Sequence, residues 1–77
     1  MSTNDAAEEY RHYSMLLQWD PEDGIYVVTV PELPGCMSHG ATYVEAVRQG
    51  QDAIDSWVAV SRSEGRPIPR PQVFARG

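Results

Sequence analysis

The sequence predicts a small α+β domain, an antiparallel sheet in the order β-β-β-α-β with one helix packed on one face. Three observations carry this. A period-two stretch begins at Tyr13, breaks at turn residues and resumes at Ile25. A connection with two prolines, Val30-Pro31-Glu32-Leu33-Pro34-Gly35-Cys36, then reverses the chain. One stretch of helical period, about residues 42–64, follows it.

Residues 1–11 are small, polar and acidic, and read as a flexible leader ahead of a domain at 12–77. From Tyr13 onward Tyr13, Met15, Leu17 and Trp19 alternate with Ser14, Leu16 and Gln18, the pattern of a strand with one apolar face. Asp20-Pro21-Glu22-Asp23-Gly24 is a turn, with Pro21 suited to its first central position and Gly24 to the positive φ that rejoins the ladder. Ile25 to Val30 is the returning strand. Opposing Asp20 to Ile25 sets Trp19 against Tyr26, Leu17 against Val28 and Met15 against Val30. That register collects the apolar and aromatic residues on one face and leaves Ser14, Leu16, Gln18, Ile25, Val27 and Thr29 on the other. A slip of one residue would mix the sets, so the segregated register is expected.

After the double-proline turn, Cys36 to His39 suffices for a short third strand, which Gly40 breaks. Thr42 and Glu45 form a capping box: the threonine side chain accepts from a free N–H, and the glutamate reaches back to the cap residue's own N–H. Ala46, Val47, Gly50, Ala53, Ile54, Trp57, Val58 and Ser61 make an apolar stripe, and Gly65 is the natural stop. Gly50 inside that stripe suggests close approach to a strand. Pro67, Pro69 and Pro71 alternate beyond the helix and remove every second donor. This tail is either an extended edge strand or a polyproline-like arm, with Val73-Phe74 expected to pin its end.

One helix covers one face of a small sheet. Leu16, Ile25 and Val27 remain on the other, an apolar remainder that favours self-association as a dimer or tetramer. Trp19, at the hairpin end, is a candidate interface residue as well as a core one.

Composition narrows the function. With 77 residues the chain buries only about 60% of its unfolded surface, so a partner is a natural source of added stability. The lone Cys36 makes no internal disulfide, His12 and His39 lack metal-ligand spacing, and no metal or cofactor is expected. No signal segment or membrane-length apolar run is present, which points to a soluble cytoplasmic chain. The net charge is −5 and there is no lysine; six arginines face eleven carboxylates, which argues against nucleic-acid binding and suits a basic protein partner.

Catalysis is not expected either. Cys36 and His39, three apart on a strand, fall on opposite faces, and a buried, inert cysteine is the simpler reading. Asp20, Glu22 and Asp23 cluster as turn residues rather than as a metal site. Asp52 and Asp55 lie on the polar side of the helix, away from Glu32, so no nuclease-type carboxylate set assembles.

The pattern hydrophobic-Pro-x-Leu-Pro-Gly-Cys, then Gly-x-Thr-x-x-Glu-Ala, after a hairpin tipped by Asp-Gly, resembles the HicB family of antitoxins from about Tyr13 to Pro71. Pro31, Leu33, Pro34, Gly35, Cys36, Gly40, Thr42, Glu45 and Ala46 carry the resemblance and look like fold determinants rather than contact residues. It implies a partial ribonuclease H-like fold and a chain that docks on a small basic ribonuclease, the HicA toxin, and occludes its active site. Many family members continue into a DNA-binding domain. This chain ends at Gly77 without room for one, so operator binding is not expected. Short stand-alone HicB-like proteins also occur, and a solitary homo-oligomeric module without a toxin is the alternative.

Overall fold

The computed structural model describes residues 12–76. Three antiparallel strands, β1 (Leu16–Asp20), β2 (Ile25–Thr29) and β3 (Met37–Gly40), form one sheet in chain order, followed by a single helix, α1 (Tyr43–Ser63). The acidic leader expected at 1–11 lies outside the described residues.

The hairpin takes the expected register: Asp20 opposes Ile25, Trp19 opposes Tyr26 and Leu17 opposes Val28. Its tip is closed by the Gly24 N–H donating to the Asp20 carbonyl at 2.8 Å. The Asp20 carboxylate holds the corner by accepting from the Glu22 and Asp23 N–H groups at 3.0 and 3.4 Å. The ladder is shorter than predicted. Tyr13 to Met15 precede β1 without joining it, yet Tyr13 is buried beside Val30, as its face requires.

The double-proline connection is two successive turns. Leu33 N–H donates to the Val30 carbonyl at 3.1 Å, Cys36 N–H donates to the Leu33 carbonyl at 3.0 Å, and Val30 N–H closes the pair on the Cys36 carbonyl at 3.1 Å. Pro34 then Gly35 at φ 78° occupy the centre of the second turn, the order a type II turn needs. Leu33 points inward and is fully buried with Val28 and Val30. Burial of each such side chain contributes about 1.5–3 kcal/mol.

The third strand runs Met37–Gly40, one residue later than predicted, and Gly40 ends it as a paired residue opposite Tyr26 rather than breaking it from outside. The reason is packing. A Cβ on Gly40 would lie 2.4 Å from the Ala46 nitrogen, so the strand end and the first helical turn touch through backbone. Gly50 behaves similarly one turn on: a Cβ there would meet the Met15 sulfur at 2.9 Å and a Val28 methyl at 3.1 Å, the close approach its place in the stripe suggested.

Thr42 caps α1 as expected, its hydroxyl accepting from the Glu45 N–H at 3.1 Å. The reciprocal half differs. The Glu45 carboxylate accepts from the N–H of Ala41, one residue before the cap, rather than from the cap residue's own N–H. Ala46, Gly50, Ile54, Val58 and Ser61 are the buried positions, while Val47 sits at the edge of the stripe and is exposed. At the other end Gly65 takes φ 69°, its N–H donates to the Arg62 carbonyl at 3.2 Å, and Arg66 N–H reaches the Ser61 carbonyl at 2.9 Å. This is the paired-bond ending that left-handed glycine permits.

The fifth element of the predicted β-β-β-α-β order does not form. Of the two forms open to the tail, residues 66–76 take the extended arm, with no ladder pairing. Instead of sheet bonds the arm uses side-chain anchors: Ile68 packs on the core, the Tyr13 hydroxyl donates to the Pro69 carbonyl, and Gln72 N–H donates to Glu32 at 2.9 Å. Val73 and Phe74, the expected pin, are both exposed.

Candidate interaction surface

The groups best suited to chemistry are used by the fold. Cys36 lies in the core with Tyr13, Val30, Leu33, Ile54 and Val58, and burial pushes its thiol above the ordinary cysteine range. His39 is exposed on β3, opposite Val27 and on the sheet face away from the helix. A buried thiol of raised pKa is a poor nucleophile. Cys36 is therefore expected to react with a thiol reagent no faster than the chain unfolds; stoichiometric modification within seconds under native conditions would contradict its core placement. Among the described residues no three His, Cys, Asp or Glu side chains gather closely enough to hold a metal ion.

Among the described residues Glu32 is the one buried carboxylate, 8% exposed at the centre of the first turn. Its oxygens accept from the Ser14 N–H at 3.0 Å, the Ser14 hydroxyl at 2.9 Å and the Gln72 N–H at 2.9 Å. Desolvation alone would raise its pKa; the N–H donors of Gln72 and Ser14, and the Ser14 hydroxyl, outweigh it and hold the carboxyl below its usual range. Glu32 thus ties the entry to the sheet and the C-terminal arm to one loop. Its role is structural, and a glutamate set between two prolines carries no sequence signal of a partner 40 residues away.

What remains open is surface. On the face away from the helix, Leu16, Thr29 and Met37 form one row across the three strands, and Gln18, Val27 and His39 the next. Leu16 is 49% exposed and Met37 is also exposed, while Ile25 and Val27 are half-buried. Trp19 does not join them. Its pairing with Tyr26 places it on the helix side, so the four candidate interface residues divide between two faces. The helix lies over β3 and β2 and leaves the end of β1 unroofed. There Trp19 meets Tyr26 edge-to-face at 5.0 Å, and Tyr26 stacks on Tyr43 at 4.3 Å. Trp57, by contrast, is half-buried and donates its indole N–H to the Pro34 carbonyl at 3.0 Å, which binds the helix to the turn.

The residues of the resemblance sit where backbone geometry is made. Leu33, Cys36 and Ala46 are buried, Pro34 and Gly35 form the second turn, Gly40 admits the helix, and Thr42 with Glu45 caps it. The family model described as HicB-like antitoxin of bacterial toxin-antitoxin system matches residues 13–76, the whole of this arrangement.

The chain belongs to the HicB-like antitoxin family.

Relatives match most of the chain. A UPF0150 protein of Thermoplasma acidophilum is 40% identical over 58 residues, covering 75% of this chain and 83% of the relative. A UPF0150 protein of Synechocystis is 31% identical over 65 residues, covering 84% and 81%. One of Archaeoglobus fulgidus is 33% identical over 51 residues, covering 66% and 72%. In this HicB-like chain the signature residues build the scaffold, while Leu16 and Met37 on the open sheet face and Trp19 and Tyr43 at the aromatic corner stay exposed. Among the described residues no helix is long and apolar enough to cross a membrane.

Proposed function

We propose that this HicB-like chain is an antitoxin that binds a small basic HicA-like ribonuclease and inhibits it by covering its active site. The chain performs no chemistry, needs no cofactor or metal, and acts in the cytoplasm, where its partner would meet RNA. The observation that carries the reading is the division of labour in the matched segment. The family's signature residues are consumed by turns, caps and core, and the Cys36 thiol is packed away, so what remains is acidic and apolar surface. A net charge of −5 without lysine suits a basic protein and disfavours direct contact with operator DNA.

Co-expression with a neighbouring small basic reading frame tests it. A complex that co-purifies at low salt and weakens as salt rises is expected, since exposed charges are screened within about 10 Å at 0.1 M ionic strength. A basic neighbour that fails to associate even at low salt would contradict the reading.

The row of Leu16, Thr29 and Met37, beside Val27, favours a second reading, a dimer or tetramer built on the open sheet face with no toxin. It requires a stable oligomer of the isolated chain, and a monomer at micromolar concentration by light scattering would exclude it.

A further inference from the structure

The aromatic corner has a chemistry that the open sheet face lacks. Trp19 from β1, Tyr26 from β2 and Tyr43 from the first turn of α1 meet ring to ring, at 5.0 and 4.3 Å, although they come from three elements. The fold does not hide them: Trp19 is 54% and Tyr43 63% exposed. Tyr26 between them is half-buried, and exposed aromatic surface of this kind, from β1 and α1, is costly to leave in water and enriched where partners bind.

Charge selects the partner. The hairpin tip begins at the residue after Trp19 and ends two residues before Tyr26, and it carries the exposed Glu22 and Asp23; Asp20 pairs with Ile25 on the opposite sheet face, and its carboxylate is taken up by the Glu22 and Asp23 N–H groups. The far side of the corner, along Val44 and Val47, is bounded by Arg48. An aromatic face beside carboxylates attracts a cation, which lies over the ring while its charge is met by the acids. The same carboxylates repel phosphate, so a nucleic-acid strand, which also stacks on aromatic rings, is disfavoured.

We propose that the Trp19–Tyr26–Tyr43 corner is a docking site for a basic side chain, an arginine above all, presented by a basic protein partner. The cation enters from the hairpin-tip side, away from Arg48. The site rests on the inhibitor reading for its biological partner, while its chemistry is testable without one.

The test is a titration of the intact chain with a short oligoarginine peptide, followed by NMR at the Trp19 indole and the Tyr43 ring. Trp19→Ala, Tyr43→Ala and the ring-preserving Trp19→Phe are made alongside, with folding checked by circular dichroism. Both probes are expected to shift with the peptide. Each alanine variant is expected to weaken binding by about three- to thirtyfold, as loss of a cation–π contact implies, and Trp19→Phe to recover part of it. Shifts confined to the Glu22 and Asp23 signals, or alanine variants that bind as wild type does, would overturn the site. So would shifts produced by dilution or by a single-stranded oligoribonucleotide in place of the peptide, which would assign the corner to a second copy or to RNA. A ribonuclease that binds the wild type and both alanine variants equally would overturn the site but keep the inhibitor reading. Oligoarginine bound at the corner of a chain that suppresses no ribonuclease would do the reverse.

Discussion

Replacing Glu32 with alanine is expected to destabilise the domain by about 2–4 kcal/mol, a melting-temperature drop of more than about 10 °C for a domain this size. The carboxylate is the shared acceptor for Ser14 and Gln72, so its loss strands two backbone N–H groups and frees the arm from the loop. The effect has a pH signature. Glu32 is held below the ordinary carboxylate range in the folded chain, so its ionised form contributes stability that is present above the unfolded pKa of about 4.3 and is lost as pH falls through the folded value. Thermal melts at neutral pH should separate wild type from Glu32→Ala widely, and the gap should narrow as the pH is taken below about 4. A variant that melts within a degree or two of wild type at pH 7, or a gap undiminished by acid, would contradict the tie.

Gly40→Ala is expected to be the most damaging single methyl in the chain. The added Cβ would lie 2.4 Å from the Ala46 nitrogen, 2.6 Å from its Cα and 2.8 Å from the Glu45 carbonyl carbon. All three are backbone atoms of the first helical turn, which no rotamer change can move aside. The strand end and the helix start must separate, loosening the Tyr26–Gly40 pairing and the Thr42 cap together, at a cost of about 3 kcal/mol or more. Gly50→Ala is the control. It meets the end of the flexible Met15 side chain and a Val28 methyl, and alanine gains about 1 kcal/mol of helix propensity in return. Urea unfolding of the two variants is expected to show a large loss for Gly40→Ala and a change within about 1 kcal/mol for Gly50→Ala. Equal losses would show that the two close approaches are of one kind.

The contrast between these positions shows what could be read from residues alone. The hairpin was legible because a one-residue slip inverts every side chain, and only one register separates Tyr13, Met15, Leu17, Trp19, Tyr26, Val28 and Val30 from the polar set. The helix was legible from its cap, stripe and terminal glycine, all of them local signals. Gly40 looked like a strand breaker because its close neighbour, Ala46, lies in the next element. The arm and Glu32 failed for a related reason. Alternating prolines exclude a central strand for residues 66–76, but do not choose between edge strand and arm or state that Tyr13, Ser14 and a loop carboxylate hold them. Tyr43 lay off the helical stripe and became part of a surface only when the helix docked over β2 and set its ring on Tyr26. Pattern reports periodicity within an element; contacts between elements 18 to 58 residues apart need the fold.

Inhibition itself is tested most directly by RNA cleavage. A small basic HicA-like ribonuclease, purified alone, is assayed on RNA while this chain is added in increments. Activity is expected to fall to background at a fixed stoichiometric ratio and to return as salt dissociates the complex. A fully active ribonuclease in the presence of excess, folded chain at low salt would contradict the antitoxin function.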